Sequence, residues 1–177
     1  MLASFLGWLW CKTRLFVKAA SGRQRYNVLG AFNAISGELV RVTNTSYITA
    51  QTVCELLNKI AALGLAVSTG SGQLTPITLV LDNARYQRCQ LVQELADTLK
   101  IELLFLPSYS PNLNLIERLW KFVKKAALNS RYHGSFAEFQ GAIDQCLEEL
   151  PTTHRQQIST LMTTAFQTFG GVSMLPA

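Results

Sequence analysis

The sequence predicts an α/β domain in which strands and helices alternate and pack in layers. Two short apolar runs, "ITLVLDN" from Ile77 and "IELLFL" from Ile101, flank a stretch with helical spacing at Leu91, Val92, Leu95 and Leu99. That strand, helix, strand order implies a layered arrangement. Ahead of them, "YNVLGAFNAISGELVRVTN" holds two β-rich runs, Tyr26 to Ile35 and Glu38 to Asn44, about Ser36-Gly37, a pair suited to a tight hairpin. At 177 residues, 49% hydrophobic and 15% charged, the chain is long and apolar enough for one sizeable core, so a single soluble domain is expected.

The elements follow in order. The opening "MLASFLGWLWC" is broken at Lys12, about half the roughly 20 residues a spanning helix needs. It lacks a basic start and a small-residue cleavage site, which points to the cytoplasm. After the hairpin, Val53, Leu56, Leu57 and Ile60 recur at helical spacing, and Gly64 offers a stop. "STGSGQLTP" reads as a loop ending at Pro76. The run into Asp82 and the run from Ile101 are expected as strands buried on both faces. "PSYSPN" breaks the chain before the helix of "LIERLWKFVKK", and Ser135 with Glu138 forms a capping box for a helix bearing Phe136, Phe139, Ile143 and Leu147. The tail from Thr153 reads as helical.

Several chemistries are excluded. The four cysteines, Cys11, Cys54, Cys89 and Cys146, form no CxxC pair and the chain has two histidines, so no zinc spacing exists and free thiols are expected. "GSGQLTP" is neither a P-loop nor a dinucleotide fingerprint. His133 and His154 read as surface or capping residues, and Ser108 and Ser110 as turn formers outside any nucleophile motif. The net charge of +5 is unevenly placed: residues 1–37 carry Lys12, Arg14, Lys18, Arg23 and Arg25 and no acid, a basic arm compatible with a polyanion or with plain solubility.

Two acids stand out. On a helical wheel at about 100° per residue, Ile116, Leu119, Phe122, Val123, Ala126 and Ala127 share one arc, while Glu117 lies opposite with Asn114, Arg118, Lys121, Lys124 and Lys125. Trp120 is at the border. Taken alone, Glu117 is a surface acid paired with Lys121 four residues on, worth about 0.3 to 0.5 kcal/mol. Asp82 is either the N-cap of the next helix or a carboxylate at the carboxyl end of a strand, where α/β folds gather ligands. Two carboxylates from different elements, near Arg85, Arg88, Lys121 and Lys124, suit Mg²⁺ or Mn²⁺ held against a phosphodiester.

Taken together, "LVLDNARYQRC" and "LPSYSPNLNLIERLW" resemble the second and third catalytic blocks of DDE transposases of bacterial insertion sequences related to the mariner superfamily. The resemblance rests on Asp82-Asn83-Ala84, then Tyr109-Ser110-Pro111, Leu113-Asn114, Ile116-Glu117 and Trp120, with 34 residues between Asp82 and Glu117. It extends from about Gly7 to "FQTFGGVS"; Leu115 and Gln87 depart from it, where many relatives carry proline and histidine. The resemblance implies an RNase H-like fold, a mixed sheet opening with a hairpin and flanked by helices. It makes Asp82 and Glu117 the second and third carboxylates around two divalent metals (Mg²⁺ or Mn²⁺), with Asn83 and Asn114 orienting the turn and the surroundings of the site. Arg85, Arg88, Arg118, Lys121, Lys124 and Lys125 then meet the DNA backbone.

The family's first aspartate lies on a strand before the hairpin, yet no acid precedes Glu38. The expectation is therefore residues 1–177 as a partial catalytic domain without that strand and without the family's N-terminal helix-turn-helix region. "CKTRLFVKAA" is a candidate to cover the edge so exposed. Three functions remain open: a catalytic domain inactive alone, a remnant that binds DNA or associates with full-length transposase or with itself, and a self-sufficient nuclease acting on RNA hybrids.

Overall fold

The computed structural model describes residues 12–13, 24–67, 76–107 and 113–163, with backbone alone at 65–67. The loop of 68–75, the segment Ser108–Asn112 with its Tyr109, Ser110 and Pro111, Cys11, most of the basic arm and the tail from 164 lie outside the described residues.

Strand β1 (Asn27–Phe32) pairs antiparallel with β2 (Leu39–Asn44), Gly30 opposite Arg41. The connection is longer than the two-residue turn the sequence suggests. Asn33 ends β1 because its side-chain oxygen accepts the N–H groups of Ile35 and Ser36, at 2.9 and 3.1 Å, and Gly37 closes the turn at φ 75°.

Helix α1 (Ala50–Val67) follows and runs through Gly64 rather than stopping there. A Cβ at Gly64 would lie 2.7 Å from Cδ1 of Ile77. The glycine therefore serves close packing of α1 on the next strand and is not a terminator.

Strand β3 (Ile77–Leu81) pairs in parallel with β4 (Ile101–Phe105), and α2 (Gln90–Thr98) crosses between them. Neither strand is buried on both faces as expected. Leu81 and Ile101 are buried, but Val80 and Leu104, partners in register, are 41% and 50% exposed, and Thr78 donates to Glu102 at 2.7 Å on that same face. Apolar composition alone does not reveal which face stays uncovered. In α2, Val92 and Ala96 take the core positions while Leu91 stands half exposed.

Helix α3 (Leu115–Val123) passes into a wider turn at Lys124–Leu128, where the Asn129 N–H reaches back to the Lys124 carbonyl at 3.0 Å. His133 meets the Ala127 carbonyl at 3.2 Å and so serves this helix end. Helix α4 (Phe136–Glu148) starts at Ser135, whose hydroxyl accepts the Glu138 N–H; the Glu138 carboxylate takes the N–H of Gly134, one residue further out than a strict capping box. Helix α5 (Arg155–Leu161) follows, with His154 before it.

Two buried clusters sit on opposite faces of the hairpin. Leu29, Ala31, Val40 and Val42 face α1 and α2 together with Ile77, Leu79 and Leu103. Val28, Phe32 and Leu39 face α3, α4 and α5 around Leu119, Val123 and Leu147. Gly30 lets Trp120 of α3 lie on β1, since a Cβ there would be 3.1 Å from the indole ring. Among the described residues, antiparallel and parallel ladders thus coexist, each two-stranded, flanked by five helices. The arrangement is consistent with an RNase H-like α/β fold. Cys54, Cys89 and Cys146 are free thiols, and no described helix is long and apolar enough to cross a membrane.

Candidate metal and nucleic-acid site

Asp82 follows β3 directly and is exposed at its carboxyl end. It does not cap α2, whose N-cap is Cys89. Instead the Asn114 side-chain amide donates to Asp82 Oδ1 at 2.7 Å, while Asn114 Oδ1 accepts the Ile116 N–H at 3.2 Å and so caps α3. One buried side chain, 8% exposed, thereby ties the end of β3 to the start of α3.

Glu117 lies in the first turn of α3, its N–H donating to the Asn114 carbonyl at 3.2 Å, and its side chain is half-buried. Helix dipole and position agree, since an anion is favoured at a helix N-terminus. The surface pair with Lys121 does not form: the ion pairs among the described residues join Arg41 with Glu148, Lys59 with Glu55 and His154 with Glu149.

The turn after Asp82 is set from inside. The Ala84 N–H lies 2.9 Å from the Asp82 carbonyl and 3.2 Å from Gln87 Oε1, and Gln87 is 6% exposed. Sequence reasoning gave Gln87 no structural role. Its signal is the three-residue step from Ala84, the spacing of the tight helical turn at Arg85–Gln87. Asn83 is exposed beside Asp82.

The basic residues divide. Lys121, Lys124 and Lys125 are exposed along one side of α3 and its wide turn, and Arg85 is exposed beside Asp82. The Arg88 guanidinium lies 4.8 Å over the Phe105 ring at the end of β4. Arg118 is engaged within the protein: its guanidinium donates to the carbonyls of Leu161 and Thr163, at 3.3 and 2.8 Å, tying α3 to the end of α5. Of the basic arm, Lys12 is exposed and Arg25 stacks 4.2 Å over Tyr47.

Asp82 and Glu117 offer hard oxygen donors, which fit Mg²⁺ or Mn²⁺ in kind. They fall short in number: no group of three His, Cys, Asp or Glu able to hold a metal occurs among the described residues.

A search of curated proteins finds no match. A family model described as DDE superfamily endonuclease matches residues 11–140, which include both carboxylates, Asn114 and the basic residues Arg85, Arg88, Arg118, Lys121, Lys124 and Lys125. Endonucleases of this superfamily generally use divalent metals, and DNA is the partner their activity implies. Matched over well more than half its length, on a fold that brings the two strongest sequence blocks together, the chain belongs to the DDE superfamily of endonucleases.

Proposed function

We propose that the chain is the catalytic-domain portion of a transposase from a bacterial insertion sequence related to mariner elements, acting on DNA in the cytoplasm or nucleoid. In this reading the chain supplies the second and third carboxylates, and no residue before Glu38 supplies the first. Asp82 and Glu117 would be the residues to hold Mg²⁺ or Mn²⁺, and such an ion would supply charge stabilisation to a phosphodiester. Asn114 keeps the Asp82 carboxylate oriented, and Asn83 supports the same turn. Lys121, Lys124, Lys125, Arg85 and Arg88 position the phosphate backbone without reading sequence. Arg118 braces the helix that carries Glu117.

The observation that carries this is the 2.7 Å bond from Asn114 to Asp82, because it brings the two motif blocks, far apart in sequence, to one place. With two carboxylates and no third beside them among the described residues, the chain is expected to bind metal but not to cleave by itself. The expected outcome is Mn²⁺ binding, followed by paramagnetic relaxation, that Asp82→Asn or Glu117→Gln weakens about tenfold or more, with no nicking of a supercoiled plasmid. Nicking that either substitution abolishes would sink the inactivity.

The missing third ligand favours a second reading, a remnant that binds DNA or joins a full-length transposase or a second copy of itself without catalysing. It expects DNA binding that is indifferent both to Mn²⁺ and to Asp82→Asn, so the same variants decide between the two.

A further inference from the structure

The turn leaving β3 fixes which of its side chains faces the core and which faces solvent. Gln87 is drawn inward by Ala84, and its own N–H returns to the Ala84 carbonyl at 3.0 Å. The Arg88 N–H closes on Arg85 at 3.2 Å, and the Cys89 thiol donates to the Tyr86 carbonyl at 3.5 Å. Successive residues of such a tight turn point about 120° apart, so fixing Gln87 in the core turns Tyr86 away from it. Tyr86 is accordingly 36% exposed against 6% for its neighbour. Its hydroxyl forms no side-chain hydrogen bond among the described residues, yet it lies within the field of the Asp82 carboxylate. Partial burial, and then that carboxylate, push the phenol up from its ordinary value; a phenol is a hydrogen-bond donor at neutral pH in any case. Exposed Arg85 and Arg88 bracket it in sequence.

We propose that Tyr86 is a DNA-contacting residue of the Asp82 site: its hydroxyl donates a hydrogen bond to a phosphodiester oxygen of the strand bound beside that carboxylate and so orients the phosphate. The contrary reading is a tyrosine that merely packs the turn, for which the ring matters and the hydroxyl does not. The proposal rests on the site being a DNA site, and the experiment keeps the two claims apart.

Binding of the full chain to a fluorescent DNA duplex is measured over a salt series for the natural chain, for Tyr86→Phe, and for a chain with Lys121, Lys124 and Lys125 each changed to Gln. Tyr86→Phe is expected to weaken binding about three- to tenfold, with an unchanged melting temperature and an unchanged salt slope, because a neutral donor releases no counterion. The lysine variant is expected to weaken binding and flatten the slope. Phe equal to Tyr, with the lysine variant impaired, overturns the role of Tyr86 and leaves the DNA site standing. A flattened slope for Tyr86→Phe overturns it too, since the loss would then come from displaced charges. A natural chain that fails to bind the duplex overturns both claims.

Discussion

Asn114 works through both ends of one amide: the oxygen caps α3 at the Ile116 N–H, and the nitrogen donates to Asp82. Asn114→Ala removes both bonds and should cost about 2 kcal/mol in a urea unfolding titration, roughly half for the cap and half for the bond to the carboxylate. Asn114→Asp keeps the capping oxygen but sets a second carboxylate against Asp82. Its defect should shrink as the pH falls and one acid takes up a proton, because like charges raise a carboxyl's affinity for protons. A loss in the Asp variant that is flat from pH 7 to 4 would refute the repulsion. Both acids were legible in the sequence, because strand ends and motif blocks leave local marks; the cap at Asn114 was not, and the cap considered at Asp82 does not form. The bond from Asn114 to Asp82 is not legible in the residues themselves, since nothing in "LVLDNA" says that the donor lies 32 residues further on; only the resemblance set Asn114 near the site. Gln87 and Tyr86 were hidden for a related reason: which of two adjacent residues turns inward depends on α1 packing over the turn.

Elements were read well where periodicity sets them and less well where contact does. The helix spacing through Ile60 was plain, but α1 continues past Gly64 because that glycine lies against Ile77 of β3. A residue that looks like a terminator in isolation is here a point of close approach, and only the neighbouring strand distinguishes the two. In helix interiors alanine is favoured over glycine by about 1 kcal/mol, while the new methyl at position 64 meets the tip of the Ile77 side chain. Gly64→Ala alone should therefore change stability little, and Ile77→Val alone should cost about 1 kcal/mol. Combined, they should be more stable than the sum of the two by about 0.5 to 1 kcal/mol, since Val removes the Cδ1 in the way. Simple additivity in thermal melts would show that Gly64 is not held by that contact. The same dependence on neighbours explains β3 and β4: their apolar runs suggested two covered faces, yet Val80 and Leu104 stand half exposed on one of them.

Across the whole molecule, the hairpin is shared by two cores, and polar ties decide how firmly the second one holds it. The Tyr26 hydroxyl just before β1 donates to Asp144 of α4 at 2.5 Å, and Arg41 of β2 pairs with Glu148 of the same helix at 3.3 Å. The Arg41 pair has an exposed carboxylate and contributes little; the tyrosine bond is part-buried and joins residues 118 positions apart. Burial first, and then the bond to Asp144, raise the Tyr26 phenol above its ordinary value. A group raised in this sense contributes stability that is complete below its unfolded value of about 10 and is lost as the pH climbs through the folded one. Tyr26→Phe should thus cost about 1 kcal/mol near neutral pH. The gap between the natural chain and this variant should narrow above about pH 10, as the hydroxyl surrenders its proton beside a carboxylate. The remaining ionisable groups are common to both chains and cancel in the difference. Paired urea titrations at pH 7 and at several points above 10 measure it; a gap that stays constant would mean that packing of the ring, and not the bond to Asp144, fastens the hairpin to α4.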